Sequence, residues 1–222
     1  MIKYLNFDCY DTLVAYTAAK ADAIQAIVAE RGGTVEAGEV AVAQFRAREY
    51  EMHRDADFQP LSVVLRACLQ EVLTERGMAY GEADGDRIIQ AVKDAPVFPD
   101  VAPVLRRLRT KYKTAILSNS ETDIIQHNVA TIGVPFDQVV LAEQARCYKP
   151  DQRMFQTLLE RCGCEVDEIV HIAQGFYHDI IPGHALGLRR IWINRNNLAG
   201  DQAYAPYDEL TDLNGVPDLL GL

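Results

Sequence analysis

The amino-acid sequence predicts an α/β protein in which a doubly wound parallel sheet carries an inserted helical unit. Three features of the 222 residues predict this class. An apolar strand covers Tyr4 to Phe7, near the start of the chain. The segment 15–96 then has a helical pattern without a convincing strand. From residue 97 onward, short apolar strands alternate with helices, which is typical of a parallel sheet covered by helices on both faces.

The inserted segment is predicted to contain four helices, over 17–31, 36–54, 60–76 and 83–94. Glycines end the first and the third of them. Pro99 and Asp100 mark the return of the chain from the insert. We therefore expect a Rossmann-like core domain made of 1–14 and 97–222, and a helical domain over 15–96.

The second half of the chain repeats strand–helix pairs. Its predicted strands are 113–117, 138–141, 169–173 and 190–194. Its predicted helices are 101–111, 121–131, 151–162 and 180–187. The tail from residue 199 is rich in turn formers and contains one short candidate strand at 207–210.

Composition and charge limit the function classes. The chain is 49% hydrophobic and 24% charged, which is ordinary for a globular protein. Its net charge of -10 argues against a nucleic-acid or membrane-surface partner, but a few local Arg or Lys residues would still admit a small anionic substrate.

No apolar run approaches the roughly 20 residues that span a bilayer, and no signal peptide is recognisable, so a soluble cytoplasmic protein is expected. The five cysteines fit neither a disulfide framework nor a four-ligand zinc site.

Polar side chains stand where the predicted strands end. They are Asp8, Tyr10, Thr12, Ser118, Asn119, Lys149 and Asp179. The carboxyl ends of parallel strands meet at one edge of a doubly wound sheet, where α/β proteins place their chemistry. Each residue alone has an ordinary explanation, such as a helix cap or a loop charge. Together they form a coherent candidate site.

The residue types suggest a division of roles at this edge. Lys149 would pair with Asp8 and keep it ionised, hence nucleophilic. Ser118 and backbone N–H groups at a helix start would hold an anion. Asp179 would lie near Lys149 and orient or activate water.

The motif order resembles the haloacid dehalogenase superfamily: Asp8-x-Tyr10-x-Thr12, Ser118-Asn119, Lys149-Pro150 and Asp179. The helical insert resembles the cap domain of that superfamily. Its phosphatases carry an aspartate two residues after the nucleophile, which protonates the leaving alkoxide. This chain has Tyr10 there, which is similar to the 2-haloacid dehalogenases.

This resemblance implies a mechanism and a substrate class. Asp8 would displace the leaving group of a small 2-substituted carboxylic acid, most simply an (S)-2-haloacid, and form an ester. Water would hydrolyse the ester with help from Lys149 and Asp179, and Thr12 is counted with them as catalytic. A halide leaves as a stable anion, so neither a general acid nor a metal or other cofactor is expected.

The resemblance also suggests substrate-binding residues. Ser118 and Asn119 would hold the substrate carboxylate, and Tyr10 would line the pocket. An arginine of the cap would meet the halide, with Arg46 the first candidate and Arg48 the second. Both arginines could instead be solvated helix charges. Dimers are common in such dehalogenases, and an apolar face on the cap helices would permit a homodimer.

Two departures from the dehalogenase pattern leave the water-positioning group open. Phe155 stands where those enzymes have a tyrosine, and the segment 174–179 lacks their serine and asparagine. Gln174, Tyr177 or His178 would then place the water. His178 could equally be structural, and His171 is expected in the core.

Other functions remain open at this point. One is a different activated carbon–heteroatom bond as the substrate. Another is a magnesium-dependent phosphatase whose metal is held by Asp8, the carbonyl of residue 10 and Asp179. A third is a non-catalytic binding protein on the same fold.

Overall fold

A computed structural model describes residues 1–55 and 57–222, and its six strands form one parallel sheet in the order β3-β2-β1-β4-β5-β6. The strands are β1 Tyr4–Phe7, β2 Lys113–Ser118, β3 Gln138–Leu141, β4 Ile169–Ala173, β5 Arg189–Ile193 and β6 Asp208–Leu210. Every neighbouring pair is parallel. The predicted α/β class and the candidate strand at 207–210 are confirmed.

The strand order makes β1 the centre of the sheet. Leu5 and Phe7 are fully buried and belong to a core cluster that includes Ile116, Val170 and Ile191 of the neighbouring strands. The chain winds from β1 toward β3 on one side and toward β6 on the other. The carboxyl end of β1 is therefore the topological switch point, where doubly wound sheets open a crevice.

The insert forms four helices with a hydrophobic core of their own. They are α1 Tyr16–Glu30, α2 Val35–Asp55, α3 Leu61–Glu75 and α4 Glu82–Lys93. Ile24, Phe45, Leu65 and Ile88, one from each helix, are fully buried together. Each helix end differs from its predicted position by one residue, as expected for helix termini.

The two connections between sheet and insert lie side by side. Val14 forms an isolated antiparallel bridge with Val97, and the N–H of Ala15 donates to the carbonyl of Pro96 at 2.8 Å. We therefore propose the boundaries expected from the sequence, with a cap over 15–96 and a core made of 1–14 and 97–222.

The second half contributes six further helices within the described residues. They are α5 Val101–Leu108, α6 Thr122–Ile132, α7 Ala142–Ala145, α8 Gln152–Cys162, α9 Ile181–Ala185 and α10 Val216–Leu219. The predicted helix over 180–187 is present as α9, which begins one residue later and ends two residues earlier than predicted. A π-helical turn, Phe176–Ile180, precedes α9, because the N–H of Ile180 reaches back to the carbonyl of Gly175. Such turns often occur at functional sites. The short helices α7 and α10 were not predicted.

None of the helices in the described residues combines the length and apolar character that a membrane span requires.

A buried arginine ties the tail of the chain to the sheet. Arg190 of β5 is 4% exposed. Its guanidinium donates to the carbonyls of Leu188, Ile180, Tyr204 and Pro206 at 2.8–3.2 Å. These carbonyls lie outside the strands of the sheet, and the guanidinium supplies each of them with a donor.

We expect Arg190→Met to lower the free energy of unfolding by about 3 kcal/mol, because it leaves several buried carbonyls without donors. The control is Arg189→Met, since Arg189 is exposed and should change stability by no more than about 0.5 kcal/mol. Urea denaturation of both variants measures the difference. Equal stabilities would show that Arg190 does not anchor the tail.

Candidate active site

Asp8 directly follows β1, and hydrogen bonds hold both its backbone and its side chain. Its backbone N–H donates to the carbonyl of Ile172 in β4 at 3.1 Å. The Thr12 hydroxyl donates to Asp8 Oδ2 at 2.7 Å and itself accepts the N–H of Gln174 at 2.8 Å. The carboxylate is 6% exposed. Thr12 therefore orients Asp8 and links the first loop to the loop after β4.

The ammonium of Lys149 joins the two carboxylates of the site. It donates to Asp8 Oδ1 at 2.8 Å, to Asp179 Oδ1 at 2.7 Å and to the carbonyl of Leu117 at 3.0 Å. All three of its donors are filled. Asn119 holds the lysine loop, because its amide accepts the N–H of Lys149 at 2.6 Å and donates to the Lys149 carbonyl at 3.1 Å.

Asp179 lies in the π-helical turn after β4 and has a second partner behind it. The Nε2 of His171 is 2.9 Å from Asp179 Oδ1. The Asn6 side-chain amide lies 2.6 Å from His171 Nδ1, so both ring nitrogens of His171 have a partner. His171 is in the core, as expected, and it also orients the second carboxylate, which the sequence did not indicate.

The charges of this cluster are set by burial and by contact. Burial opposes ionisation of Asp179, but Lys149 and His171 outweigh it and lower the pKa of Asp179 to about 2. Burial raises the pKa of Asp8, and the adjacent ammonium opposes that rise. Burial also disfavours the charged form of Lys149, but the two carboxylates outweigh it and raise its pKa. The lysine therefore stays an ammonium.

A cavity of about 520 Å³ opens between this cluster and the cap. Six of the eight predicted site residues line it: Asp8, Tyr10, Arg46, Asn119, Lys149 and Asp179. Thr12 lies behind Asp8. Ser118 does not line the cavity, and its buried hydroxyl has no partner in the described part of the chain. The volume is in the range of small-ligand sites.

The two cap arginines differ in position. Arg46 lines the cavity and is exposed. Arg48 points elsewhere on α2 and forms ion pairs with Glu71 and Glu75 of α3. Arg48 is thus occupied on another surface of the cap, and Arg46 stays the arginine candidate.

The three residues considered for positioning water differ in whether they line the cavity. Gln174 and His178 line the cavity, and burial lowers the pKa of His178. Tyr177 is 38% exposed and does not line it. Phe155 is buried with its ring edge-on to His171, 5.3 Å between centroids. A phenylalanine at this position therefore packs against the histidine that supports Asp179.

Two contacts at the cavity were not predicted from the sequence. The Tyr10 hydroxyl lies 2.7 Å from the Ser120 hydroxyl, so the tyrosine is held by the loop after β2. Lys20 of α1 and Glu49 of α2 form a buried ion pair in the cap wall. Their separation of 29 residues hides the pair in the sequence.

Asp11 is not free to act as an acid. Its two carboxylate oxygens accept the N–H and the hydroxyl of Thr17 at 2.9 and 2.5 Å, at the start of α1. Its backbone has a φ of 60°, in the left-handed region. Asp11 lines the cavity, but its oxygens are used to begin the helix.

Comparison with known proteins places the chain in a family. The family model for haloacid dehalogenase-like hydrolases matches residues 2–187. The (S)-2-haloacid dehalogenase 4A of Burkholderia cepacia is 28% identical over 212 residues, covering 90% of this chain and 86% of that protein. The chain belongs to the haloacid dehalogenase-like hydrolases, which confirms the family expected from the motif order.

Two solved structures share the fold. The L-2-haloacid dehalogenase from Xanthobacter autotrophicus has a TM-score of 0.84 at 22% identity, covering 99% of this chain and 98% of that chain. The HAD-hydrolase YfnB from Bacillus subtilis, bound to magnesium, has a TM-score of 0.85 at 17% identity, covering 100% and 99%. The same fold thus occurs in a dehalogenase and in a magnesium-bound hydrolase, so the fold alone does not decide the chemistry.

The pKa of Asp179 generates a prediction about acid stability. The ordinary pKa of 3.8 falls to about 2 in the folded state, so its ionised form stabilises the fold above pH 3.8 and loses this effect as the pH falls toward 2. We expect the unfolding free energies of wild type and Asp179→Asn to converge over that interval. Denaturant titrations between pH 6 and 2 measure this, and a constant difference would contradict it.

Proposed function

We propose that this protein hydrolyses the carbon–halogen bond of a small 2-substituted carboxylic acid, most simply an (S)-2-haloacid, with Asp8 as the nucleophile. The observation that carries the proposal is a buried Asp8 carboxylate bound to the Lys149 ammonium at 2.8 Å, with Tyr10 where a general acid would stand. The (S)-2-haloacid dehalogenase relative supports the substrate class.

The first step needs a nucleophile and a leaving group that departs without a proton. An oxygen of Asp8 forms a bond to carbon 2 of the substrate, and the carbon–halogen bond breaks with its electron pair on the halide. The product is an ester between Asp8 and the 2-hydroxy acid skeleton. The Tyr10 hydroxyl is paired with Ser120, and burial raises its pKa well above the ordinary value, so it is a poor proton donor. A halide requires none.

The second step needs water at the ester carbonyl of Asp8. Asp179 accepts a proton from this water while the oxygen attacks the carbonyl carbon. Collapse of the tetrahedral intermediate then breaks the bond between the carbonyl carbon and the ester oxygen, and the departing alkoxide takes the proton from Asp179 and leaves as the 2-hydroxy acid. Asp8 is regenerated as a carboxyl group that ionises again. Asp179 Oδ1 is occupied by Lys149 and His171, so Oδ2 is the oxygen left for the water. Lys149 neutralises the charge that develops beside Asp8.

The direct test is halide release from racemic 2-chloropropionate, with and without EDTA, by wild type and Asp8→Asn. We expect release of up to half of the chloride, insensitive to EDTA and absent in the variant, because Asp8 forms the ester and one enantiomer is used. No release by wild type from any short 2-haloacid, with unchanged binding of these acids to Asp8→Asn, would refute the proposal.

A magnesium-dependent phosphatase is the second candidate, favoured by the shared fold with a magnesium-bound hydrolase. A magnesium ion held by Asp8, the carbonyl of residue 10 and Asp179 would compete with the partners that both carboxylates already have in this structure. The two site carboxylates each give one oxygen to Lys149. Turnover of an aryl phosphate that EDTA abolishes would favour this candidate over dehalogenation.

Gly175 generates a prediction about the second step. A Cβ at this position would lie 2.5 Å from Asp179 Oδ2, so any side chain must displace the proposed base. We expect Gly175→Ala to slow halide release by about 100-fold, since a displacement near 1 Å has that order of effect.

The control is Gly81→Ala in the cap, where the nearest atom to the added Cβ is 3.9 Å away. Steady-state halide release measures both variants, with thermal unfolding as a check on folding. A folded Gly175→Ala protein with wild-type activity would show that Asp179 Oδ2 does not act on water.

A further inference from the structure

The cap wall of the cavity carries a buried ion pair that the two proposed steps do not use. Lys20 donates to Glu49 Oε2, and both residues line the same cavity as Asp8. Lys20 is 3% exposed and Glu49 is 7% exposed. Withdrawing two charges from water is costly even when they are paired. The pair borders the hydrophobic core of the insert on one side and the cavity on the other, so a ligand in the cavity can contact it.

The ammonium of Lys20 has unused donors. An ammonium has three N–H groups. Within the residues that the structure describes, Glu49 is the only hydrogen-bond acceptor of the Lys20 nitrogen. The rings of Tyr16 and Phe45 lie beside it, at 3.7 and 5.5 Å from their centroids. Lys149 differs, because its three donors are filled. Lys20 can therefore bind a further acceptor from the cavity.

The groups first expected to hold the substrate carboxylate are less available. Ser118 does not line the cavity. The amide of Asn119 is bonded at both ends to the backbone of Lys149. Arg46 lines the cavity but is exposed, so water competes for its donors. Among the described residues of the cavity wall, Lys20 is the buried cation that still has unused N–H donors.

The Lys20 ammonium is held in place by Glu49, whose carboxylate has a second hydrogen-bond partner. Glu49 Oε1 accepts the hydroxyl of Tyr16 at 2.5 Å, so both oxygens of this carboxylate are directed. The Tyr16 ring stacks on Tyr10 at 4.0 Å between centroids. Burial lowers the pKa of Lys20, and the adjacent Glu49 opposes this. The stacking of Tyr10 on Tyr16 and the hydrogen bond from Tyr16 to Glu49 therefore hold the Lys20 ammonium in place before a ligand binds.

We propose that Lys20 binds a carboxylate of the substrate at the cap wall, and that Glu49 and Tyr16 are positioning residues for its ammonium. The inference rests on the proposed function, because it states how that substrate is recognised. The carboxylate is either the one attached to the reacting carbon or a second one further along the substrate chain.

The test is calorimetric binding of two unreactive acids, propionate and butanedioate, to wild type and to Lys20→Met/Glu49→Gln. The double change avoids leaving a buried carboxylate unpaired. We expect about 10- to 100-fold weaker binding in the variant, the effect of losing a charge-assisted hydrogen bond. Loss for both acids identifies the carboxylate next to the reacting carbon. Loss for butanedioate alone identifies a distal one.

Two further variants keep the result decisive. Lys20→Gln retains a donor for Glu49 without the charge, and it replaces the double variant if thermal unfolding shows that protein to be unfolded. Arg46→Met removes the exposed cap cation and should weaken binding by less than the Lys20 variants. Folded Lys20 variants that bind both acids as wild type does would overturn the inference, as would a wild type that binds neither acid.

Steady-state halide release separates this inference from the proposed function. With 2-chloropropionate, a Lys20 variant should raise KM with little change in kcat, because the contact is made equally in substrate and transition state. Carboxylate binding that depends on Lys20 in a protein that releases no halide would remove the proposed function and retain the inference. A Lys20 variant that releases halide with unchanged KM and binds both acids as wild type does would retain the proposed function and remove the inference.

Discussion

The contact of one ammonium with two carboxylates is the interaction on which the site depends. Asp8 and Asp179 are both nearly inaccessible to water, and two buried carboxylates at one point would raise each other's pKa. Lys149 lies between them and gives its third donor to the carbonyl of Leu117. Removing Lys149 would leave two buried carboxylates without a compensating charge.

This contact explains why the strand order matters. Asp8 follows β1, Leu117 lies in β2, and Asp179 follows β4. The three strands are adjacent only because β1 is central in the sheet. The lysine comes from a loop after β3, and Asn119 binds that loop through two hydrogen bonds. The parallel sheet therefore supplies the position of each charge, and the loops supply the orientation.

The helices of the insert contribute a second set of polar groups to the cavity, in addition to the charged cluster at the sheet edge. These helices pack around their own hydrophobic cluster, and their connections to the sheet meet at the Val14–Val97 bridge. The wall that they present to the cavity is polar where Lys20 and Glu49 lie. Reaction groups on the sheet and recognition groups on the cap would allow substrate preference to change without disturbing Asp8.

The sequence by itself determined the fold class, all six strands to within one residue, and the identity of the charged residues at the sheet edge. These features depend on local periodicity and on the rule that parallel strands end together. Asp8 was predictable because it directly follows β1, and Lys149 and Asp179 because they lie in the connections that lead away from β3 and β4.

Only the tertiary structure decided which polar groups face the cavity and which face each other. Ser118 does not line the cavity although it ends a strand, and Arg48 forms ion pairs with Glu71 and Glu75 of α3. His171 reads as a core residue in a strand, yet it supports Asp179. Lys20 and Glu49 lie on different helices. The spacing of apolar residues predicts which face of a helix is buried, but it does not predict which charged residue of another helix will pair with a given side chain. Side-chain direction and contacts between distant elements are properties of packing, and periodicity carries no information about them.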